Sequence, residues 1–284
     1  MNKREAWRLA SEQLIKAGKI DGRFEAELLL RSALGESRAR FFATLDEVID
    51  EAALAQFRAW IEARLEGRPL QHLLGRQEFM GLQFKVTPDV LVPRPDTEIA
   101  AEVVLELIKE VQEPLVVDLA TGSGAIAVAV AYHAPQAQVW ATDISAAALA
   151  VAQQNAKANG VAERVTFLEG SWAEPLLAQG RRYHCVVSNP PYIPTDDIAQ
   201  LAIEVQREPR LALDGGPDGL DCYRALIPQA WELLLPGGHL VLEVGQGQAD
   251  AVAMLLQQQG FSDPTIHPDL AGIPRVVAAQ RPRI

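Results

Sequence analysis

Cysteine is almost missing from this chain, with two in 284 residues. Cys185 lies inside an apolar, strand-like run and Cys222 near the start of a helical pattern, so neither has the spacing of a disulfide framework or a metal site. Both read as structural thiols, and no metal is expected. Long apolar runs are missing too. The longest, around Ala125 to Ala131, falls far short of the ~20 residues that span a bilayer. The start, Met1-Asn2-Lys3-Arg4-Glu5-Ala6-Trp7, places charges where a secretory signal needs an unbroken apolar core. These absences predict a soluble, cytoplasmic protein with no membrane contact, taken as a monomer. Basic charge is scarce: the net charge is −11, residues 1 to 75 hold 12 Lys and Arg against 12 Asp and Glu, and the remainder holds 14 against 25. Binding to a phosphate backbone usually shows as a basic face, so a nucleic-acid substrate is disfavoured. No repeat and no low-complexity tract occurs, and with hydrophobic residues at 49% the chain reads as globular throughout.

Three blocks follow from the pattern. In residues 1 to 75, Trp7, Ala10, Leu14 and Ile15 recur at helical spacing before Gly18. Phe24, Leu28 and Ala33 follow Asp21, a suitable N-cap, and stop at Gly35. A third helix runs from about Asp50 to Glu66. This block predicts a small helical domain. Residues 76 to 95 change to short β-like runs, Gln77 to Phe79 and Leu82 to Val86, around a Met80-Gly81 turn, and read as a hairpin linker. Residues 96 to 284 open with Asp96 as the expected N-cap of an amphipathic helix. Apolar runs then alternate with helical stretches: Leu115 to Leu119, Val139 to Ala141, Val165 to Leu168, Cys185 to Val187 and Leu240 to Val244. Such alternation predicts an α/β, doubly wound sheet whose ligands sit beyond the carboxyl ends of the strands.

The chemistry is therefore expected just after each run. Asp118-Leu119-Ala120-Thr121-Gly122-Ser123-Gly124 follows the first strand and opens a helix, where glycines allow close backbone approach and free N–H groups favour an anionic ligand. Alone this is weak, because Gly122, Gly124 and Ala127 also fit the dinucleotide pattern G-x-G-x-x-A. Asp143, 19 residues beyond Gly124, ends the second strand and suits both hydroxyls of a ribose; its competing role is a helix cap, which Ser145 can fill. Trp172 beyond the third strand can cover an adenine face or simply pack in the core. Asn189-Pro190-Pro191-Tyr192 follows the fourth strand. Its prolines fix the backbone and remove two donors, leaving carbonyls beside the Asn189 side-chain oxygen as acceptors for an NH2 group, on which Tyr192 can stack. A planar amide nitrogen is a poor nucleophile, and accepting both its hydrogens would aim it at an electrophilic methyl.

Around these motifs stand Val92-Pro93-Arg94-Pro95-Asp96-Thr97-Glu98, Glu208-Pro209, Leu213-Asp214-Gly215-Gly216 and Asp218-Gly219-Leu220. Together they resemble the HemK/PrmC family, protein-(glutamine N5) methyltransferases that modify the glutamine of the Gly-Gly-Gln loop in peptide chain release factors. The resemblance implies a Rossmann-like class I methyltransferase sheet of seven strands with a small N-terminal helical domain. It implies S-adenosyl-L-methionine as cofactor, S-adenosyl-L-homocysteine as product and release factors as protein partner. It places cofactor contacts on Asp118, Ala120, Thr121, Gly122, Ser123, Gly124, Asp143, Trp172 and Asn189. Asn189, Pro190, Pro191 and Tyr192 are its substrate contacts, with Asn189, Pro190 and Tyr192 carrying the transfer. The helical domain is the expected docking element. Two departures stand out: Ala120 where the family often has glycine, and Ser171 where an acidic residue often precedes the aromatic. The alternatives are an adenine-N6 methyltransferase acting on nucleic acid, which shares the Asn-Pro-Pro-Tyr core, and a nicotinamide-dependent oxidoreductase, which leaves that loop without a role.

Overall fold

The computed structural model describes residues 1–283; Ile284, the last residue of the expected methyltransferase domain, lies outside the described residues. Two compact units emerge, residues 1–75 with 202–207, and residues 76–201 with 208–284.

The first unit contains α1 (Lys3–Lys16), α2 (Gly22–Leu34), α3 (Arg38–Ala43), α4 (Glu51–Leu65) and α5 (Leu70–Leu74). Short polar side chains start three of them: Asn2 accepts the Glu5 N–H, Ser37 that of Arg40 and Asp50 that of Ala53, each satisfying a donor left free by the first turn. Asp21 holds the cap position of α2 without a side-chain bond. The helices α3 and α5, short and weakly periodic, add to the three that the pattern predicts. Leu14, Leu29, Leu30, Phe41, Phe57 and Ile61 form the core. Residues 202–207, far away in sequence, complete the unit through Glu204, which pairs with Lys19 and, at 2.9 Å, with Arg64. Arg64 is 5% exposed and also donates to both carboxylate oxygens of Glu25, at 2.7 and 2.9 Å. Burial works to raise the Glu204 carboxyl, but the hydrogen bonds from Lys19 and Arg64 outweigh it and hold it at about 2.

The second unit starts with an antiparallel hairpin, β1 (Arg76–Phe79) and β2 (Leu82–Lys85). Its turn places Met80 and Gly81 at φ +50° and +76°, the conformation that matches strand twist in a two-residue hairpin. Helix α6 (Pro95–Ile108) follows. It begins two residues earlier than the pattern implied: Arg94 is the cap, and Asp96 lies in the first turn instead of capping it. Proline at the first helical position has its φ preset and needs no N–H partner, so the helix starts there, and Asp96 still complements the positive end of the helix dipole.

The remaining elements are β3 (Leu115–Leu119), α7 (Ala125–His133), β4 (Gln138–Asp143), α8 (Ala146–Ala158), β5 (Val165–Glu169), α9 (Glu174–Leu177), β6 (Tyr183–Ser188), α10 (Ile203–Gln206, in the first unit), α11 (Asp221–Leu233), β7 (Leu234–Glu243), α12 (Ala249–Gln259), β8 (Ser262–Pro268) and β9 (Pro274–Gln280). They build a seven-stranded sheet in the order β5-β4-β3-β6-β7-β9-β8. It is parallel except at β9, which runs antiparallel to both neighbours. The sheet is covered on both faces, with one core under α6 and α7 and the other under α11 and α12. Strand order reverses direction between β4 and β6 around β3, the topological position at which an open sheet leaves a crevice above its carboxyl ends. Among the described residues no helix is long and apolar enough to cross a membrane.

Candidate active site

That crevice is a cavity of about 350 Å³, within the usual range of roughly 300 to 1,000 Å³ for small-molecule sites. Its floor is the turn after β3. Ala120 and Gly122 both have positive φ, +58° and +56°, so the chain curls back and leaves open space above Gly122. Asn155 of α8, 1% exposed, braces the turn by donating to the Ser123 carbonyl at 2.8 Å, while it exchanges hydrogen bonds with the Lys85 backbone. The hairpin and the turn are thus held by one amide.

Two carboxylates shape this floor. Asp143 at the end of β4 accepts the Gly122 N–H on Oδ2 at 2.8 Å and the Ser145 N–H on Oδ1 at 2.9 Å. Ser145 itself caps α8. A carboxylate offers about four acceptor positions, so Asp143 keeps acceptor capacity for a ribose hydroxyl beyond its backbone partners. Asp118 is 1% exposed. Its Oδ2 accepts from the Thr121 hydroxyl and the Ala127 N–H at 2.6 and 3.1 Å, while Oδ1 has no partner. Burial pushes its carboxyl up to about 7, and the neighbouring Asp143 charge adds to that rise. An ammonium group entering the cavity would satisfy Oδ1 and restore the charge.

The loop after β6 forms the opposite wall. Ser188 donates to the Leu119 carbonyl at 2.7 Å, and Asn189 Nδ2 donates to the Thr97 hydroxyl oxygen at 3.2 Å. Burial, reinforced by the nearby Glu243 carboxylate, pushes the Tyr192 hydroxyl well above the usual phenol range, so it stays a neutral donor to Glu243 at 3.4 Å. Glycines press against this loop from behind. A side chain on Gly215 would begin 2.7 Å from the Tyr192 Cα, and one on Gly219 2.4 Å from the Tyr192 carbonyl oxygen. Ile193 and Gly215 lock the two segments by backbone bonds of 3.0 and 2.8 Å to Leu213 and Ile193. Glu208, also buried, accepts the Val92 N–H at 2.8 Å and pairs with Arg94. The segments around residues 215 and 219 thus back the loop, and those around 92 and 208 are tied to each other.

Comparison with known proteins agrees with this geometry. Residues 5–75 match the family description PrmC N-terminal domain, and residues 84–214 match Methyltransferase small domain. The chain is 48% identical over 282 residues to the release factor glutamine methyltransferase of Moorella thermoacetica, with 99% of each chain covered. It is 46% identical over 268 residues to that of Geobacter sulfurreducens, covering 94% of this chain and 92% of the relative. The chain belongs to the release factor glutamine methyltransferase family. The catalytic domain of hMettl16 shares the fold at a TM-score of 0.59 and 15% identity, covering 79% of this chain and 82% of that one.

For a member of this family, most of the residues singled out from sequence converge on the cavity: Asp118, Ala120 to Ser123, Asp143, Trp172, Asn189 and Pro191 all line it. Gly124, Pro190 and Tyr192 do not. Gly124, at φ +81°, lies against α8, where a side chain would meet Ala152 at 3.0 Å, so its lack of one serves helix packing. Pro190 is buried and Tyr192 is directed to Glu243. Several cavity residues went unnoticed in the sequence. Ile144, 56% exposed, offers an apolar face next to Asp143; an isoleucine directly after the acidic end of a strand was its only signal. Leu211 and Ala212 line the mouth from a segment with no periodic pattern. Cys222 also lines it, and burial followed by the charges of Asp221 and Asp214 pushes it up to about 11, leaving a neutral thiol.

Proposed function

We propose that this protein transfers a methyl group from S-adenosylmethionine to the side-chain amide nitrogen, N5, of the glutamine in the Gly-Gly-Gln loop of peptide chain release factors; its full-length relatives are named release factor glutamine methyltransferases. The observation that carries the reading is the convergence of Asn189 and Pro191 with the glycine turn and Asp143 on one cavity.

The residues present fit the cofactor. The open space above Gly122 admits it, Asp143 retains acceptor positions for ribose hydroxyls, Ile144 and Trp172 supply faces for adenine, and the unpartnered Asp118 Oδ1 suits the ammonium of the methionine portion. When bound, S-adenosylmethionine supplies an electrophilic methyl group on a sulfonium. The chain supplies orientation. The Asn189 Oδ1 and the Pro190 carbonyl accept the two hydrogens of the substrate NH2, and the consecutive prolines put no competing donor beside it. Tyr192, kept neutral, presents a ring and no charge. No base need act before transfer, because the nitrogen becomes acidic only once it is cationic; the proton then leaves to water. The helical unit, with its balanced charge, is assigned to docking the protein substrate, and the protein is taken to act in the cytoplasm as a monomer without nucleic acid or metal.

The test is mass spectrometry of a release factor incubated with the protein and S-adenosylmethionine. One added methyl on the glutamine of its Gly-Gly-Gln peptide is expected. Methylation of adenine in nucleic acid with the release factor unmodified, or calorimetric binding of NAD in place of S-adenosylhomocysteine, would overturn the reading.

A further inference from the structure

Glu243 closes β7 and is 2% exposed. The register pairs Ser188 with Leu242, so the next residues at these two carboxyl ends are Asn189 and Glu243. The residues before it, Leu240, Val241 and Leu242, are apolar and fully buried, and strand packing gives no reason for a carboxyl to follow them. Its backbone carbonyl accepts the Tyr223 hydroxyl at 2.8 Å and its Oε1 the Tyr192 hydroxyl at 3.4 Å. Oε2 is buried without a well-formed hydrogen bond. Leaving a buried carboxylate half-satisfied costs stability, and such a group calls for a reason beyond packing.

The reason lies in Thr97, on α6 and 4% exposed. Its hydroxyl acts on the Glu243 carboxyl to favour ionisation, while its oxygen accepts Nδ2 of Asn189 at 3.2 Å. A hydroxyl has one hydrogen to give. Since Asn189 donates into this oxygen, that hydrogen is free to turn toward Glu243. With that hydrogen turned to the carboxylate, the polarity runs one way, from Asn189 through Thr97 toward Glu243, and the Asn189 Oδ1 is left as the outward end of the amide.

We propose that Glu243 is a positioning residue for methyl transfer: through Thr97 it fixes which end of the Asn189 amide meets the substrate nitrogen, and through the Tyr192 hydroxyl it anchors the other end of the same loop. The proposal rests on the assignment of that loop to an amide substrate. With a neutral carboxyl the direction is lost, because a proton on Glu243 can be donated toward Thr97, whose own hydrogen is then free to turn to the Asn189 oxygen. Burial pushes Glu243 up to about 7; the Asp96 charge in the first turn of α6 adds to this, while the Thr97 and Tyr192 hydroxyls and Arg275 of β9 oppose it. Methyl transfer therefore quickens as pH rises through about 7.

The experiment measures single-turnover methylation of a release factor between pH 5.5 and 9 at saturating S-adenosylmethionine, for the parent, E243Q, T97V and T97S, with KM for the release factor and calorimetric affinity for S-adenosylhomocysteine. E243Q and T97V should lose about 10- to 100-fold in rate, the scale of a misdirected acceptor in an active site. KM and product affinity should stay within about threefold of the parent. The rise near pH 7 should vanish in E243Q, and T97S should recover most of the rate. If E243Q does not fold, T97V and T97S decide the matter. Parent-like rates and pH profile in E243Q or T97V, or a loss confined to KM, overturn the positioning role alone. A parent that leaves the release factor unmethylated while binding S-adenosylhomocysteine overturns the substrate assignment and this proposal with it.

Discussion

Replacing Asp143 separates its two roles, as a brace for the glycine turn and as a seat for the cofactor ribose. In the free protein its oxygens accept two backbone N–H groups, from Gly122 and Ser145, at 2.8 and 2.9 Å. Hydrogen bonds to a charged acceptor contribute about 1.5 to 3 kcal/mol each. Gly122 and Ser145 are both half-buried, so water can reach the freed donors, and Asp143→Ala should cost about 2 to 3 kcal/mol, near the lower end of the sum. At roughly 2 to 4 °C per kcal/mol for a chain approaching this size, the melting temperature should fall by about 5 to 10 °C. Losing the ribose acceptor costs a further 1.5 to 3 kcal/mol or so in binding, a weakening of about 10- to 150-fold. Asp143→Asn is the informative partner, since its NH2 must face one of the two N–H donors; it should melt no higher than the Ala variant despite its matching shape. Differential scanning calorimetry and titration with S-adenosylhomocysteine measure both effects. An Ala variant that melts with the parent and binds as tightly, or an Asn variant that matches the parent, would refute the reasoning.

Ala120→Gly should raise stability by about 0.5 to 1 kcal/mol, because φ +58° costs a residue with a Cβ about 1 to 2 kcal/mol while the added freedom of unfolded glycine takes back about 0.4 to 1; a lower urea midpoint would contradict this. Arg64→Ala strands the Glu25 carboxylate, which Arg64 contacts at 2.7 Å, and leaves Glu204 with Lys19 alone; it should cost about 3 kcal/mol in denaturant unfolding, so a loss below about 1 kcal/mol would contradict the pairing. Asp118 is pushed up to about 7 when folded against about 3.9 when unfolded. The native state thus keeps a proton that the unfolded chain has released, and this group makes the parent less stable as pH climbs from about 4 to 7. Asp118→Asn should gain on the parent across that window, and a stability difference independent of pH would exclude the shift.

The parallel strands were legible because strands buried on both faces read as continuous apolar runs, and four of the five runs lie wholly within their strands, the fifth overrunning its strand by Val244 alone. β8 and the start of β7 were not legible, for identifiable reasons. β8 carries Asp263, Pro264 and Pro268 and shows an exposed, irregular burial pattern, as an edge strand does when its open side must not template another chain. β7 starts at Leu234, six residues before its apolar run, through Pro236, Gly237 and Gly238, which by composition signal a turn. In the site, residues directly after strand ends were readable because the fold dictates where ligands lie. Thr97 and Glu243 were not, since their meaning depends on a contact between a helix start and a strand end 146 positions later. The one local hint was an acid at the end of Leu240-Val241-Leu242. The place of residues 202–207 in the helical unit was equally hidden, because an ion pair between distant residues leaves no periodic trace.

That last arrangement bears on how the protein is made. Glu204 follows Arg64 by 140 positions, and ribosomes add about 5 to 20 residues per second. For about 7 to 30 seconds of synthesis, the five N-terminal helices exist with the buried Arg64 paired to Glu25 alone and without its second carboxylate. They can collapse around Leu29 and Phe41 but not reach their final stability. The N-terminal unit is therefore finished only after β3, β4, β5 and β6 have been translated, and its maturation is timed by the domain that carries the chemistry.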